Sequence, residues 1–209
     1  MIARNFSGTA AGALLLCGVF AISFSSAAGS SLGTPASTQH AIGSRKRAPG
    51  LPNFGQVTPN LFRGARPERD GYRTLQAMGV NIVVDMWGGN RSEPDAVEKL
   101  GMQYVSIPWH TDSPSDEIIA RFLKVREENP DKKVFVHCHA GVDRTGVAIA
   151  SYRMAMEGWS PDEAMKEMQL FGFSGFHHLR LPTLVRFEKD FPEHLKTSSA
   201  FQDLQVVKR

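Results

Sequence analysis

A buried strand, a tight turn and a helix are predicted in direct succession within residues 134–157. The opening run VFV is typical of a buried strand, since β-branched and aromatic residues pack well in sheets. It leads into HCHAGVDRTG, in which five residues separate Cys138 from Arg144. Gly141 permits a sharp turn there, because glycine tolerates positive φ. A helix from about Arg144 to Glu157 follows, so this stretch favours a fold in which strands run into helices.

Strand and helix patterns alternate along most of the chain. Short β-branched runs predict strands, and amphipathic stretches with capping residues predict helices. The predicted strands are 60–63, 82–86, 102–109 and 134–136, and the predicted helices are roughly 70–79, 94–100, 114–128, 144–157, 161–170 and 181–191. This alternation predicts an α/β fold with a mostly parallel central sheet flanked by helices.

The turn after Cys138 has the features of an anion-binding loop. Its successive backbone N–H groups can converge on one point and form a nest. The predicted phosphate-binding residues are His139, Ala140, Gly141, Val142, Asp143 and Arg144. The N-terminus of the following helix adds partial positive charge at the same place, and the planar guanidinium of Arg144 can bind two phosphate oxygens.

Cys138 lies at the floor of this predicted loop. Positive surroundings lower the pKa of a cysteine below its usual value of about 8.5, and the thiolate is the nucleophilic form. We therefore expect Cys138 to attack a bound phosphate ester and form a phosphocysteine. Arg144 and the nest would stabilise the charge on the transferring group. Thr145 can donate its hydroxyl to the leaving sulfur, and His137 is expected to hold the loop from behind.

Two other interpretations of the loop are weaker. Zinc coordination by His137, Cys138 and His139 fails because neighbouring residues on a strand point to opposite faces. A purely structural cysteine leaves Arg144 without a partner at a buried helix start, which costs free energy. No metal site is therefore predicted.

The spacing of Cys138, five residues, Arg144 and Thr145 resembles the signature of the cysteine-dependent protein tyrosine phosphatase superfamily. His137 before the cysteine and Gly141 inside the loop fit the same pattern, and AGVDRTG is similar to bacterial dual-specificity and lipid-active members. The resemblance implies a compact dual-specificity phosphatase-like domain that works without metal or another cofactor. It also implies a general acid on a separate upstream loop.

Three aspartates are candidates for that general acid. The sequence SPSD at 113–116 is typical of a helix start with Ser113 as the cap, so that Asp116 at the third position stabilises the helix end. Asp112 lies outside this helix and is therefore assigned as general acid and later general base. Asp143, inside the loop, matches an acid with a proton-transfer role in myotubularin-like lipid phosphatases and stays an alternative.

The first 28 residues are predicted to form a secretory signal peptide. Arg4 precedes an apolar run, 10–24, that is short for a bilayer span, and small residues follow up to Ala28. An uncleaved membrane anchor is the alternative. Residues 29–50 are predicted as a flexible linker, 51–196 as the phosphatase domain and 197–209 as a C-terminal tail. We expect export to the periplasm or secretion, with no stable membrane span after cleavage.

Cleavage of this signal would change the charge and the cysteine content. Residues 1–28 hold Arg4 and no acid, so 23 basic and 21 acidic residues remain, and the net charge of +2 predicts no nucleic-acid partner. Cleavage also removes Cys17 and leaves Cys138 without a partner for an internal disulfide, which favours a chemical role for that thiol. A monomer is expected.

The leading functional prediction is a phosphomonoesterase, a protein-tyrosine or dual-specificity phosphatase acting on a phosphorylated protein or small phosphate ester. One alternative keeps the chemistry but acts on inositol phosphates or phosphoinositides. Another is a non-catalytic phosphate-binding module. Further substrate contacts are considered at Arg63, Arg66, Asn90 and Arg91, whereas His177, His178 and Arg180 fit a surface loop better than a pocket wall.

Overall fold

The computed structural model of the protein describes residues 40–206. Its strands are β1 (Ser44–Arg45), β2 (Gly55–Thr58), β3 (Leu61–Ala65), β4 (Ile82–Asp85), β5 (Gln103–Ser106) and β6 (Val134–Cys138). Its helices are α1 (Gly71–Ala77), α2 (Glu93–Glu98), α3 (Asp116–Glu127), α4 (Asp143–Glu157), α5 (Pro161–Leu170), α6 (Gly175–Arg180) and α7 (Pro182–Thr197), and a 3-10 turn follows at Ser199–Phe201. None of the helices within this described range is long and apolar enough to cross a membrane.

The strands form one mixed sheet in the order β1-β2-β3-β6-β4-β5. The four strands β3, β6, β4 and β5 are parallel, and β1 and β2 add an antiparallel edge. The predicted α/β fold with a mostly parallel central sheet flanked by helices is confirmed. Strand β6 lies between β3 and β4, and all of its residues are buried because helices cover both faces of the sheet.

Successive residues of β6 face two separate hydrophobic clusters, as expected for a strand. Val134 and Val136 belong to the cluster that includes residues of α3, α4, α5 and α7. Phe135 packs on the other face with Tyr72 and Leu75 of α1. Cys138 belongs to the first cluster, so the nucleophile predicted at the strand end lies on the α4 side of the sheet.

Helix α4 is anchored in the core by one buried arginine. Arg153 donates from Nε to Glu167 of α5 at 2.9 Å and from Nη2 to the carbonyl oxygen of Val57 at 3.0 Å. Its guanidinium also lies over the ring of Trp159, with 4.3 Å between its central carbon and the ring centroid. These contacts join α4, α5 and β2, and they fix the helix whose first turn carries Arg144.

Contacts at both ends of the described chain extend beyond the predicted boundaries of residues 51–196. His40 stacks on Trp159 with 5.3 Å between ring centroids, and β1 pairs with β2 although it lies in the predicted linker. Helix α7 ends at Thr197, and Phe201, in the predicted tail, is buried. The partners are distant in sequence, so composition alone does not reveal them. The predicted signal peptide, linker residues 29–39 and residues 207–209 lie outside the described residues.

Candidate active site

The loop after β6 turns its carbonyl oxygens outward, where donors from an earlier part of the chain hold them. The pairs are His139 O with the N–H of Arg66 (3.3 Å), Ala140 O with Asn53 Nδ2 (3.3 Å), and Gly141 O with Asn53 Nδ2 (3.1 Å) and Arg63 Nη2 (3.0 Å). In a trans peptide the N–H points away from the carbonyl. The N–H groups of residues 140–142 therefore point inward, as an anion-binding nest requires.

The inward orientation is visible at Gly141. Its N–H donates to the sulfur of Cys138 at 3.3 Å, and the Cys138 side chain is almost fully buried. Gly141 has φ of 70°, and a Cβ at this position would lie 2.4 Å from the carbonyl carbon of Gly64 and 2.5 Å from the nitrogen of Ala65. Only glycine fits here, so this residue permits both the turn and the close approach of β3.

Arg144 and Thr145 stand in the first turn of α4, directly after the loop. Arg144 donates from Nη1 to the carbonyl oxygen of Trp109 at 3.1 Å, while its Nε has no hydrogen-bond partner in the described part of the chain. Thr145 is buried, and its hydroxyl also lacks a partner there. The contact with Trp109 connects the predicted phosphate-binding loop, residues 139–144 (the phosphate loop), to the segment that carries Asp112.

His137 lies behind the loop between two buried carboxylates. Its Nε2 is 3.0 Å from Glu93 Oε1, and its Nδ1 is 3.9 Å from Asp85 Oδ1. Asp85 already accepts the N–H groups of Trp87 and Gly88 at 2.6 and 2.8 Å and the hydroxyl of Tyr104 at 2.8 Å. This geometry fits the predicted supporting role of His137.

These three residues also form a possible metal-ligand group, the only one found within residues 40–206. The two carboxylates approach different nitrogens of the His137 ring. One ion cannot bind both nitrogens, and the Asp85 oxygens are already hydrogen-bonded to donors. The arrangement therefore fits a buried histidine lying between two acids better than a metal centre.

The loop predicted to carry the general acid is arranged differently from the expected helix start. Ser115, not Ser113, caps α3, and Asp116 is the first residue of the helix rather than the third. The reason is that Ser115 Oγ accepts the N–H of Ile118 and so sets the first turn. Asp116 accepts a hydrogen bond from His194 Nδ1 at 2.9 Å, so its structural role rests on a contact that the sequence did not predict.

Asp112 is exposed, with its carboxylate next to Ser113 Oγ at 3.2 Å and its backbone carbonyl bonded to Thr183 Oγ1 at 3.1 Å. Asp143 is half-buried at the start of α4, and burial raises the pKa of its carboxyl group above the usual value. Electrostatic interactions with His177, Arg144 and Arg180 act against that shift. The two remaining acid candidates thus differ clearly in solvent exposure.

The rim of the site is formed by residues from several loops. Arg66 lies over the ring of Trp87 at 5.2 Å, and the ring of His139 meets the edge of the same ring at 5.0 Å. Residues 175–180 form helix α6 instead of the surface loop that the sequence favours, and His177 Nε2 is 3.7 Å from Asp143. The structure therefore places His177 beside the phosphate loop.

The other residues predicted to contact substrate differ in their exposure. Arg63 is fully buried, so it supports the loop instead of lining an open pocket, whereas Arg66 is exposed at the rim and Arg91 is exposed after β4. Sequence reasoning missed Asn53, Glu93 and Trp109. They act through contacts with residues about 35 to 90 positions away, and no local motif marks them.

A family model described as "DSP-PTPase phosphatase fused to NAD+ Kinase" matches residues 50–181, more than half of the chain. The chain belongs to this phosphatase family. Among its relatives, the dual specificity protein phosphatase TpbA of Pseudomonas aeruginosa is 30% identical over 132 residues, which cover 61% of this chain and 58% of TpbA. Human dual specificity protein phosphatase 26 is 27% identical over 121 residues, which cover 54% of this chain and 57% of that protein.

Solved structures share the phosphatase fold. A crystal structure of TpbA aligns with a TM-score of 0.61 and 26% identity, over 70% of this chain and 89% of that one. The catalytic domain of the yeast PP-IP phosphatase Siw14 aligns with a TM-score of 0.57 over 72% of this chain and 95% of that one, but at 15% identity it shows the fold alone. The chain spans less than two thirds of the length of the named TpbA and phosphatase 26 sequences.

Proposed function

We propose that this member of the phosphatase family is a cysteine-dependent phosphomonoesterase of the protein-tyrosine and dual-specificity type. The observation that carries the proposal is the loop of inward N–H groups closed around the Cys138 sulfur, with Arg144 at its helical end. TpbA, the relative of 30% identity, is named a dual specificity phosphatase, and one crystal structure of a TpbA variant is a complex with pTyr. These names support a phosphoprotein substrate.

In the proposed first step, the Cys138 thiolate attacks phosphorus in line. An S–P bond forms as the P–O bond to the leaving group breaks, and Asp112 gives its proton to the leaving oxygen. The inward N–H groups and Arg144 stabilise the charge on the non-bridging oxygens. In the second step water attacks phosphorus, Asp112 takes a proton from it, and the thiolate leaves with help from the Thr145 hydroxyl.

The assignment of Asp112 rests on its loop. The contact between Trp109 and Arg144 holds that loop against the phosphate site, and the Thr183 hydroxyl fixes the backbone of Asp112 itself. Asp116 is engaged with His194 and is therefore a poor candidate. Asp143 is part of the phosphate loop, so we give it the role of orienting that loop.

The function is tested with a panel of phosphotyrosine and phosphoserine peptides, inositol polyphosphates and phosphoinositides, assayed in chelator. We expect phosphotyrosine peptides to be hydrolysed, and rapid acid quench with labelled substrate to recover phosphate on Cys138. The Cys138→Ser variant is expected to bind the peptide without turnover. Preference for inositol polyphosphates would support the alternative substrate class, and peptide binding by wild type without any turnover would support a phosphate-binding module.

We also propose that residues 1–28 direct export and that the phosphatase domain acts in the periplasm or outside the cell. The support is the pattern of Arg4, a short apolar run and small residues up to Ala28. Expression of the full chain followed by fractionation and N-terminal sequencing tests this. We expect a processed chain in the exported fraction, and an intact N-terminus in the membrane fraction would favour the uncleaved anchor.

A further inference from the structure

A second arginine lies against the phosphate loop, on the side away from the predicted phosphate. Arg63 of β3 is fully buried, and its Nη2 donates to Gly141 O at 3.0 Å. Its guanidinium packs over the ring of Phe171, with 4.0 Å between its central carbon and the ring centroid. Its Nε and Nη1 have no hydrogen-bond partner in the described part of the chain.

No carboxylate compensates this buried cation directly. None of the salt bridges found within residues 40–206 includes Arg63. Residues 1–39 and 207–209 contain no aspartate or glutamate that could pair with it. The nearby Glu167 is already bonded to Arg153 in two contacts of 2.9 and 3.3 Å. Burying a cation without an anionic partner is costly, so a partner of another kind is expected.

The Cys138 sulfur is the anion that the geometry offers. Gly141 bonds to both groups, because its N–H donates to that sulfur at 3.3 Å while its carbonyl accepts from Arg63. Burial lowers the pKa of Arg63 to about 10, and the charges of Glu167 and Cys138 oppose this shift. Arg63 is therefore a cation at neutral pH, when the thiolate is needed.

We infer that Arg63 is a positioning residue that holds the Gly141–Val142 peptide with its N–H toward phosphate and supplies a buried counter-charge to the Cys138 thiolate. This inference rests on the proposed phosphatase function. Arg144 is not seen to hold this peptide, because its Nη1 donates to the carbonyl oxygen of Trp109 instead. The two arginines thus bond to different segments around the loop.

Several other charged groups lie near Arg63 and Cys138. Arg153 lies near Arg63 and lowers its pKa, whereas Glu167 raises it. The groups closest to Cys138 along the chain are His137, His139, Asp143 and Arg144, and Asp85 and Glu93 flank His137. Variants at position 63 leave all of these in place, so a change in thiol reactivity would report on Arg63 alone.

Two variants separate the charge of Arg63 from its hydrogen bond. Arg63→Gln keeps a donor for Gly141 O but is neutral, and Arg63→Lys keeps the charge but loses the planar fork. Iodoacetamide alkylation of the full chain is measured against pH, with peptide mass spectrometry to separate Cys138 from Cys17. We expect Arg63→Gln to raise the pH midpoint of Cys138 alkylation by about one unit and Arg63→Lys to move it by less than about half a unit.

The matched control is Arg126→Gln. Arg126 is another buried arginine, but it donates to the carbonyls of Asn129 and Lys132. This variant is expected to keep the wild-type midpoint. A folded Arg63→Gln protein with the wild-type midpoint of Cys138 alkylation would overturn the inference. Loss of the near-UV circular dichroism signal in both position-63 variants would also overturn it, because Arg63 would then be needed only for the packing of the core.

Turnover of an aryl phosphate is measured on the same proteins. We expect the acidic limb of the kcat/KM profile to follow the alkylation midpoint in Arg63→Gln, with a fall in kcat/KM of up to about tenfold at pH values below both midpoints, as a one-unit shift dictates. If wild type hydrolyses no phosphate ester, the proposed function fails while the alkylation result still stands. If wild type is active but wild type and Arg63→Gln have the same midpoint of Cys138 alkylation, only the inference about Arg63 fails.

Discussion

At the scale of single residues, the choice of general acid depends on what surrounds each aspartate. Asp112 is exposed on a loop that contacts Arg144 through Trp109. Asp143 belongs to the phosphate loop, where burial raises its pKa and His177 lies 3.7 Å away. A raised pKa suits a general acid. The loss of a residue that only shapes the loop, in contrast, should slow the hydrolysis of all substrates alike.

Substrates with different leaving groups therefore distinguish a general acid from a residue that orients the loop. For Asp112→Asn we expect kcat on phosphotyrosine to fall by about 10² or more, and kcat on an activated nitroaryl phosphate by less than about tenfold, because only the poor leaving group needs a proton. Asp143→Asn should reduce both rates by a similar factor. Steady-state kinetics at pH 6 measures this, with Asp116→Asn as the control on the same segment. Equal losses for Asp112→Asn on both substrates would exclude Asp112.

At the scale of elements, the position of α4 depends on the buried contact between Arg153 and Glu167. Both side chains are almost fully buried, and α4 carries Arg144 at its other end. Removing one partner of such a pair leaves a buried charge uncompensated. Arg153 also contacts Glu157, but that carboxylate is partly exposed, so water can replace it.

We predict that Glu167→Gln lowers the free energy of unfolding by about 3 kcal/mol, since Arg153 then keeps a buried charge without its main partner. Glu157→Gln, the matched control on α4, should lower it by less than about 1 kcal/mol because the Glu157 carboxylate is partly exposed to water and Arg153 keeps Glu167. Urea denaturation followed by circular dichroism measures both. Similar losses for the two variants would show that burial does not set the strength of these contacts.

At the scale of the whole molecule, the parts that can be predicted from sequence are those whose signal is local. Strands β4 and β6 have apolar β-branched runs, and the loop from Cys138 to Arg144 carries its spacing within seven residues. The start of α3 was misplaced by two residues because two serines compete as caps. Asn53 and Arg63 hold the loop from 78 to 88 residues away, and no local pattern records such contacts.

A buried glutamate in the core leads us to expect that the stability of the whole molecule depends on pH. Glu188 of α7 is fully buried, and neither carboxylate oxygen has a hydrogen-bond partner within residues 40–206. Burial raises the pKa of Glu188 well above its usual value. The folded protein therefore keeps a proton that the unfolded chain releases above about pH 4.3. Stability contributed by this group is present below that pH and is lost as the pH rises toward the folded pKa.

We predict that Glu188→Gln, which is neutral at every pH, has nearly wild-type stability at pH 4 and becomes progressively more stable than wild type toward pH 7.5. The gap should grow by up to about 1.4 kcal/mol per pH unit, the limit for one proton. Urea unfolding at pH 4, 5.5 and 7.5 measures it. Glu193→Gln on the exposed face of the same helix is the control and should show no growing gap, because its carboxylate is solvated. A gap for Glu188→Gln that does not change with pH would mean that Glu188 is ionised in the folded protein, with a cation or water bound beside it.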